Sequence, residues 1–189
     1  MAVLDRHGRP LSNLRISVTD RCNLRCSYCM PEREYAWLPR KDILSFEEIA
    51  GLVDAFTDVG VEKVRLTGGE PLLRRDLTSL VSLLASKPAI RDLALTTNGI
   101  ELAECARDLA EAGLHRITAS LDTLHPDRFE ALTRRADLPR VLAGIESASQ
   151  AGFRSLKIDS VVLKGVNDDE LVDLVEFGKR VGAEVRFIE

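Results

Sequence analysis

The stretch SFEEIAGLVDAFTDVG at residues 45–60 is followed almost at once by KVRLTG at residues 63–68. Apolar residues recur at helical spacing in the first segment, whereas the second is short and rich in residues that favour strands. The same pair of patterns repeats along the chain. Further strands are predicted at 14–19, 93–98, 116–122, 156–163 and 184–189, and further helices at 76–86, 102–113, 138–152 and 169–182. Because strands and helices alternate strictly, we expect right-handed βαβ units and one parallel sheet.

The ends of the predicted helices carry signals of their own. Ser45 followed by Glu48 has the spacing of a capping box. Glycines stand where helix C-terminal caps are expected, and these are Gly60, Gly113, Gly152 and Gly182. No linker interrupts the alternation, so we predict a single domain over residues 1–189.

One face of the predicted sheet is polar. Strands that are covered by helices on both faces read as continuous apolar runs, but apolar and polar residues alternate here. The apolar set, expected to face the helices, is Leu14, Ile16, Val18, Val64, Leu66, Leu93, Leu95, Ile117, Leu121, Leu156, Ile158 and Val162. The polar set is Arg15, Ser17, Thr19, Lys63, Arg65, Thr67, Thr96, Asn98, Thr118, Ser120, Asp122, Lys157 and Asp159. This division favours a barrel with a wet interior and with its chemistry at the C-terminal ends of the strands.

The predicted fold is therefore α/β, a partial (open) TIM-like barrel of about six parallel βα units, against the eight of a closed barrel. The sixth predicted strand ends at Glu189. An exposed final strand is an unpaired edge, so we expect further C-terminal sequence or a partner to cover it. On this interpretation the chain is truncated.

The composition narrows the class of protein. The chain has 26 basic and 30 acidic residues and a net charge of −4, which does not suggest a general binder of nucleic acid or of membrane surfaces. It has no apolar run of membrane-spanning length, and its first residues lack a secretory signal, so we expect a cytoplasmic protein. Three of the four cysteines fall within eight residues, which favours a metal site over disulfides.

These three cysteines are Cys22, Cys26 and Cys29, directly after the first predicted strand. A cubane iron–sulfur cluster normally takes four thiolates, so three would leave one iron open. The alternative is a zinc site completed by a distant ligand, but zinc sites usually show two separated ligand pairs. Cys105 lies within a predicted helix and is interpreted as a core residue. The spacing, with an aromatic residue just before the last cysteine, resembles the radical S-adenosylmethionine (SAM) superfamily, and it implies a [4Fe–4S] cluster whose open iron is chelated by SAM.

Cations converge on the polar face. They are Arg15, Lys63, Arg65 and Lys157, joined by Arg186 on the sixth predicted strand. Burying unpaired cations costs several kcal/mol each, so they should meet anions. An ion-paired interior, with Asp122 and Asp159 neutralising two of them, is the alternative. Otherwise the excess positive charge indicates a multiply charged ligand such as a triphosphate.

A closer resemblance covers nearly the whole chain. The stretches that carry it are LRISVTDRCNLRCSYCMP, LSFEEI, KVRLTGGEPLLRRDL, LTTNG, SLD and KGVNDDE. They are similar to the GTP 3',8-cyclases of the MoaA type, which begin molybdenum cofactor biosynthesis. The resemblance implies that nucleotide-contacting positions are Arg15, Arg65, Thr96 and Lys157, and that SAM-contacting positions are Tyr28, Gly69 and Ser120. Lys63 and Arg186 join the substrate-binding set only because strand parity turns them inward.

The resemblance also implies a reaction and partners. A radical formed from SAM would remove the ribose 3' hydrogen of GTP, and the resulting carbon radical would attack C8 of guanine, giving (8S)-3',8-cyclo-7,8-dihydroguanosine 5'-triphosphate. A reductant protein, the next enzyme of the pathway and a second copy of the chain in a homodimer are the expected partners. A second cysteine triplet, holding a second [4Fe–4S] cluster, is expected only in a C-terminal region outside this sequence. The alternatives are another radical SAM enzyme, such as a peptide-modifying maturase, or a noncatalytic metal-binding segment.

Overall fold

The computed structural model describes residues 3–32 and 34–188 and contains one sheet of six parallel strands. The strands are β1 (Asn13–Ser17), β2 (Lys63–Thr67), β3 (Asp92–Thr97), β4 (Arg116–Ser120), β5 (Ser155–Val161) and β6 (Glu184–Ile188). They lie in the sheet in chain order, and every neighbouring pair is parallel. The prediction of an α/β open barrel of about six parallel units is confirmed, and each predicted strand is found within a few residues of its expected bounds. Glu189, the last residue of the sixth predicted strand, lies outside the described residues.

Within the described residues, six helices connect the strands. They are α1 (Phe46–Asp58), α2 (Leu77–Ala85), α3 (Leu102–Glu111), α4 (Pro126–Thr133), α5 (Leu138–Gln150) and α6 (Leu171–Val181), with short 3-10 turns at Arg40–Asp42 and Pro71–Leu73. The predicted capping box of Ser45 and Glu48 is present at the start of α1. Each of the four predicted C-terminal glycines has a positive φ, which glycine adopts without strain. In the part of the chain that the structure describes, no helix is long and apolar enough to cross a membrane.

The helix α4 is absent from the prediction. It is only eight residues long and contributes two large apolar side chains to the interior, Phe129 and Leu132, which is too little to register as helical periodicity. Pro126 stands at its first turn, where a missing N–H costs nothing, and Arg134 ends it in the left-handed conformation.

Strand parity divides the sheet as predicted. The apolar side chains of β2 and β3 are at most 2% exposed and pack against the helices in one continuous core. Ser160 is an exception on this face, and its hydroxyl is satisfied by the main-chain oxygen of Leu121. The polar parity faces the other side, where register places Arg15 beside Arg65 and Asp159 beside Arg186. The sheet thus carries its helices on one face and leaves a polar concave face free for ligands.

Candidate functional site

The cysteine loop, residues 18–30, follows β1 and lies over the C-terminal ends of the neighbouring strands. The side chains of Cys22 and Cys26 are half-buried and Cys29 is exposed, and all three line one cavity of about 240 Å³. Cys105 lies apart on α3, where its thiol donates to the main-chain oxygen of Glu101 at 3.4 Å, in keeping with the predicted core position. The three predicted ligands are therefore brought together, and the fourth cysteine is not among them.

Main-chain hydrogen bonds hold the cysteine loop from two sides. On one side, the N–H groups of Arg25 and Ser27 donate to the oxygens of Thr133 and Leu132, at 3.0 and 2.9 Å. These oxygens belong to the last turn of α4, where helix carbonyls have no partner within the helix. On the other side, the N–H of Gly69 donates to Thr19 at 2.8 Å. The cysteine loop is thus held by the barrel on both sides.

The turn after β2 approaches the cysteine loop so closely that only glycine fits. A Cβ atom on Gly68 would lie 2.6 Å from the main-chain oxygen of Thr19, and one on Gly69 would lie 2.4 Å from that of Arg21. Neither distance is possible between a carbon and an oxygen atom. Both glycines line the cavity of the cysteines. The absence of side chains at Gly68 and Gly69 therefore lets this turn pack against the cysteine loop at the edge of the cavity.

Glu70, in the same turn, has a structural role that the sequence analysis did not assign. Its side chain is 1% exposed and accepts hydrogen bonds from the hydroxyl of Thr97 and from the N–H groups of Leu72 and Asn98. Burial raises the pKa of this carboxyl, and the three hydrogen bonds act in the opposite direction. The Asn98 side chain in turn donates to Asn23 in the cysteine loop at 2.7 Å. Glu70 therefore joins the ends of β2 and β3 beneath the cysteines.

Tyr28 and Ser120, which the resemblance assigns to contact with SAM, line the same cavity. The hydroxyl of Tyr28 donates to the carboxylate of Asp122, just beyond β4, and that carboxylate also accepts from the N–H of Val161 at 2.8 Å. Burial raises the pKa of Asp122, against the effect of these two hydrogen bonds. Asp122 was predicted to neutralise a cation, and it binds Tyr28 instead. It fastens the cysteine loop to β4 and β5.

The electrostatics of the cysteine loop favour neutral thiols in the protein alone. Burial raises the pKa of Cys22, and it raises the pKa of Cys26 to about 12, with the charge of Asp122 adding to the effect. Thiolates are the form that binds metal. A bound group of positive charge must therefore compensate for this cost before the thiols of Cys22 and Cys26 can ionise.

The donor set fits an iron–sulfur cluster. In the described residues, no three His, Cys, Asp or Glu side chains converge closely enough to hold one metal ion. A cluster takes each thiolate on a different iron, so its ligands stand further apart than those of a single ion. The three thiols line one cavity without converging on a point, as the ligands of a cluster do. Cys22, Cys26 and Cys29 are the residues that would hold the cluster.

A second cavity, of about 550 Å³, occupies the concave face below the first. Arg15, Arg65, Thr96 and Arg186 line it, which brings together four of the six residues predicted to bind substrate. The guanidinium of Arg65 donates to the hydroxyls of Thr96 and Thr118, at 2.9 and 3.1 Å. Burial lowers the pKa of Arg65, and three neighbouring arginines lower it further. Asp122 and Asp159 line the same cavity, so its three arginines exceed its carboxylates by one charge.

Some of these cations are paired within the protein and others are not. Arg186 makes two hydrogen bonds to Asp159, at 2.7 and 2.9 Å, and Lys157 binds Glu184 at 2.6 Å. Among residues 3–32 and 34–188, no carboxylate lies within 4 Å of the charged atoms of Arg15, Lys63 or Arg65. The predicted ion-paired interior is therefore present in part, and it leaves a net positive charge.

Lys63 does not line this second cavity. It begins β2 and lines a smaller cavity of about 220 Å³ at the base of the sheet, together with Arg15, Arg65 and Arg116. Arg116 pairs with Asp92 and was not singled out from the sequence. Its position two residues before Thr118 gives it the inward parity, and that signal could have identified it.

A buried carboxylate outside the cavities supports the loops after β4 and β5. Glu170 is 1% exposed and accepts hydrogen bonds from Thr123, from the N–H of Leu124 and from the guanidinium of Arg128. Burial acts to raise the pKa of Glu170, but these three donors outweigh it, and the pKa lies below its ordinary value. Asn167 adds two bonds, to the oxygens of Asp122 and Val161. The wall beside Ser120 is thereby held in place.

Comparison with known proteins bears on this site. Residues 16–178 match the family model described as "Radical SAM superfamily". The chain is 57% identical over 191 residues to GTP 3',8-cyclase 3 of Mycobacterium bovis, 54% identical to GTP 3',8-cyclase 1 of Mycobacterium tuberculosis and 52% identical to the GTP 3',8-cyclase of Acidothermus cellulolyticus. Each alignment covers 99% of this chain and 50%, 53% and 53% of the relative. The chain thus spans about half the length of the curated relatives it matches.

Solved structures share the fold at low identity. Streptococcus suis SuiB bound to S-adenosylmethionine superposes with a TM-score of 0.78 at 19% identity, over 97% of this chain and 43% of that one. HydG, a maturase of the [FeFe]-hydrogenase, gives a TM-score of 0.74 at 16% identity, over 94% and 42%. These likenesses confirm the open-barrel architecture.

Proposed function

Because the chain belongs to the radical SAM superfamily, we propose that it forms the cluster-binding and cofactor-binding part of a GTP 3',8-cyclase of molybdenum cofactor biosynthesis. The observation that carries the proposal is the 57% identity to GTP 3',8-cyclase 3 of Mycobacterium bovis, which extends over 99% of the chain. So long a match includes the cysteine loop and every strand that contributes to the cationic cavity. The proposed product is the 3',8-cyclised triphosphate.

The proposed cofactor site is the cavity of the cysteines. A [4Fe–4S] cluster held by Cys22, Cys26 and Cys29, with SAM bound beside it, supplies a one-electron cleavage of a carbon–sulfur bond that starts radical chemistry. The chain's own part is to bind and orient these groups. Tyr28, Gly69 and Ser120 are proposed to contact SAM, and they are supported by lining the same cavity as the thiols.

The proposed substrate site is the second cavity, of about 550 Å³, which Arg15, Arg65 and Arg186 line. Arg15 is exposed and Arg65 is half-buried, and neither has a carboxylate partner in the described part of the chain. Both guanidinium groups are therefore available to a polyanionic ligand, which supports the proposal. Thr96 holds the guanidinium of Arg65 in place. Arg186 lines the cavity while it is paired with Asp159. These residues would fix the triphosphate and thereby the ribose near the radical source.

Lys63 and Lys157 are proposed as further phosphate contacts. Lys63 would act from the base of the sheet, and Lys157 must divide its three N–H donors between the substrate and Glu184. The proposal also includes a reductant protein, transfer of the product to the next enzyme of the pathway and a homodimer. A second [4Fe–4S] cluster is proposed for the part of the relatives' length that this chain does not span.

The cluster assignment is tested by replacing one proposed ligand and one unrelated cysteine. Cys26→Ala should abolish iron binding and the brown colour of anaerobically reconstituted protein, whereas Cys105→Ala should retain both. With dithionite and SAM, the parent chain should release methionine and 5'-deoxyadenosine. Retention of full iron content by Cys26→Ala contradicts the ligand assignment. Failure of the iron-loaded parent to cleave SAM favours the noncatalytic alternative.

The substrate assignment is tested by titrating GTP calorimetrically. Arg65→Ala and Lys157→Ala should each raise the Kd for GTP by about tenfold or more, because a hydrogen bond to a charged group contributes about 1.5–3 kcal/mol. Lys179→Ala, on the outer surface of α6, is the matched loss of charge and should leave the Kd unchanged. Equal affinities in all three variants contradict the triphosphate site. SAM cleavage without GTP binding favours another radical enzyme, such as a peptide-modifying maturase.

A further inference from the structure

Arg25, between the first two cysteines, turns its side chain back onto the loop that carries them. Its Nη1 donates to the main-chain oxygen of Cys22 at 2.8 Å and to that of Leu24 at 2.7 Å. Its own N–H donates to Thr133. One side chain thus ties together the main chain on both sides of Asn23. The first turn of the cysteine loop is closed by this guanidinium.

Two aromatic rings cover the same guanidinium. Tyr35 and Trp37 stack with their centroids 5.5 Å apart and their planes at 24°, and the Cζ of Arg25 lies 5.5 and 5.4 Å from the two centroids. Cation–π contacts at these distances are favourable. The next residue, Leu38, donates its N–H to the carboxylate of Asp20 at 2.6 Å, which anchors the aromatic segment beside the loop. The position of Arg25 is therefore determined by contacts on several sides.

The charge of Arg25 is not neutralised by the protein. Within the described ranges, no carboxylate lies within 4 Å of its guanidinium nitrogens, although nine other arginines and lysines have such a partner. The nearest acceptors are neutral carbonyl groups, one of which belongs to a proposed cluster ligand. A cubane cluster held by three thiolates is anionic and gains a further negative charge on reduction. A bound cluster would therefore supply the negative charge that the Arg25 guanidinium lacks within the protein.

We infer that Arg25 is a positioning residue of the cluster site, which fixes the loop through two carbonyl groups and whose uncompensated charge favours the reduced cluster. Groups outside the ligand set tune both the affinity and the potential of a metal site. The inference rests on the proposed function, because it requires the cluster. It predicts that some substitutions of Arg25 change the effect of its charge on the cluster, and that others change only its hold on the loop.

The test uses the anaerobically reconstituted chain and measures two quantities. The first is the ratio of reduced to oxidised cluster at a fixed potential, followed by electron paramagnetic resonance. The second is the rate of iron loss to a chelator. Arg25→Gln should lower the ratio by about tenfold, equivalent to about 59 mV for a one-electron couple. Arg25→Lys keeps the charge and should leave the ratio within about threefold of the parent, yet lose iron about tenfold faster.

Two further variants keep the result decisive if Arg25→Gln fails to load iron. Trp37→Leu removes one aromatic cover and should also accelerate iron loss, with the charge intact. Arg21→Gln removes a solvent-exposed arginine of the same loop, whose charge is screened by water, and should change neither quantity. Parent-like behaviour of both Arg25 variants, or an equal change in Arg21→Gln, overturns the inference. Failure of the parent itself to bind iron overturns the proposed function instead.

Discussion

Gly69→Ala is expected to push the cysteine loop away from the turn after β2. The added Cβ would lie 2.4 Å from the main-chain oxygen of Arg21 and 2.6 Å from that of Asp20. Carbon and oxygen atoms rarely approach closer than about 3.3 Å, so the main chains must separate by roughly 0.9 Å. The obstructing atoms belong to the main chain, so no side chain can rotate to relieve the contact. Gly69 has a negative φ, which limits the effect to this steric clash.

The cost can be worked out from the hydrogen bonds across the contact. Gly69 N–H donates to Thr19 at 2.8 Å, and Glu70 N–H donates to Arg21 at 2.7 Å. Stretching both by this amount removes most of two bonds that contribute about 0.5–1.5 kcal/mol each, so the loss is roughly 1–3 kcal/mol. For a chain of this size that corresponds to a fall in Tm of about 2–12 °C. The displaced loop should also bind less iron.

Gly51→Ala provides the control. Gly51 lies on the exposed side of α1, and no atom lies within 4 Å of the Cβ that alanine would add. Replacing glycine within a helix by alanine stabilises by about 0.5–1 kcal/mol. Thermal unfolding and iron content after reconstitution are measured for both variants. A Gly69→Ala protein with an unchanged Tm and full iron would refute the reasoning, since it would mean that the two main chains are not held together.

Three further predictions concern other contacts. Gly144→Ala places a Cβ 2.3 Å from the main-chain oxygen of Gly99 and should lower the free energy of unfolding in urea by about 1–3 kcal/mol. Thr118→Val removes one of two hydroxyls that hold Arg65 and should raise the Kd for GTP about fivefold without altering the Tm. Glu170→Gln should cost about 1–3 kcal/mol at pH 7, whereas the exposed Asp169→Asn should cost little. Because the folded pKa of Glu170 lies below the ordinary 4.5, its stabilisation is present above pH 4.5 and lost as pH falls through the folded value, so the deficit of Glu170→Gln should shrink in acid. A deficit that does not vary with pH contradicts this.

The architecture could be predicted because two periodicities were present at once. Helical spacing in segments such as 45–60 and alternation in strands such as 63–67 define element types locally, and strict alternation of the two defines a parallel sheet. Strand parity then assigned the helix-facing and ligand-facing sides correctly, including the inward position of Arg65. The missed α4 lacks this information, because eight residues with two buried large apolar side chains do not establish a period.

The partners of the inward charges could not be predicted in the same way. Lys157 meets Glu184 because the register of β5 against β6 aligns these two residues, and register between neighbouring strands depends on packing. Glu184 stands two residues before Arg186 and shares its inward parity, but parity does not tell which residue of the neighbouring strand lies opposite. For Asp122, position alone suggested a cation, whereas the folded loop presents the Tyr28 hydroxyl. Charge can be counted from sequence, but pairing requires the fold.

The missed helix and the cysteine loop are physically one unit. A helix leaves its last four carbonyl groups without internal partners, and the left-handed Arg134 stops α4 so that two of them remain available. The oxygens of Leu132 and Thr133 accept from Ser27 and Arg25, on either side of Cys26. Although α4 buries few apolar side chains, it is required beside the cysteine loop, because its carbonyl groups accept the hydrogen bonds that shape that loop. The cysteine loop, which the sequence predicts most clearly, thus depends on α4, which the sequence does not predict.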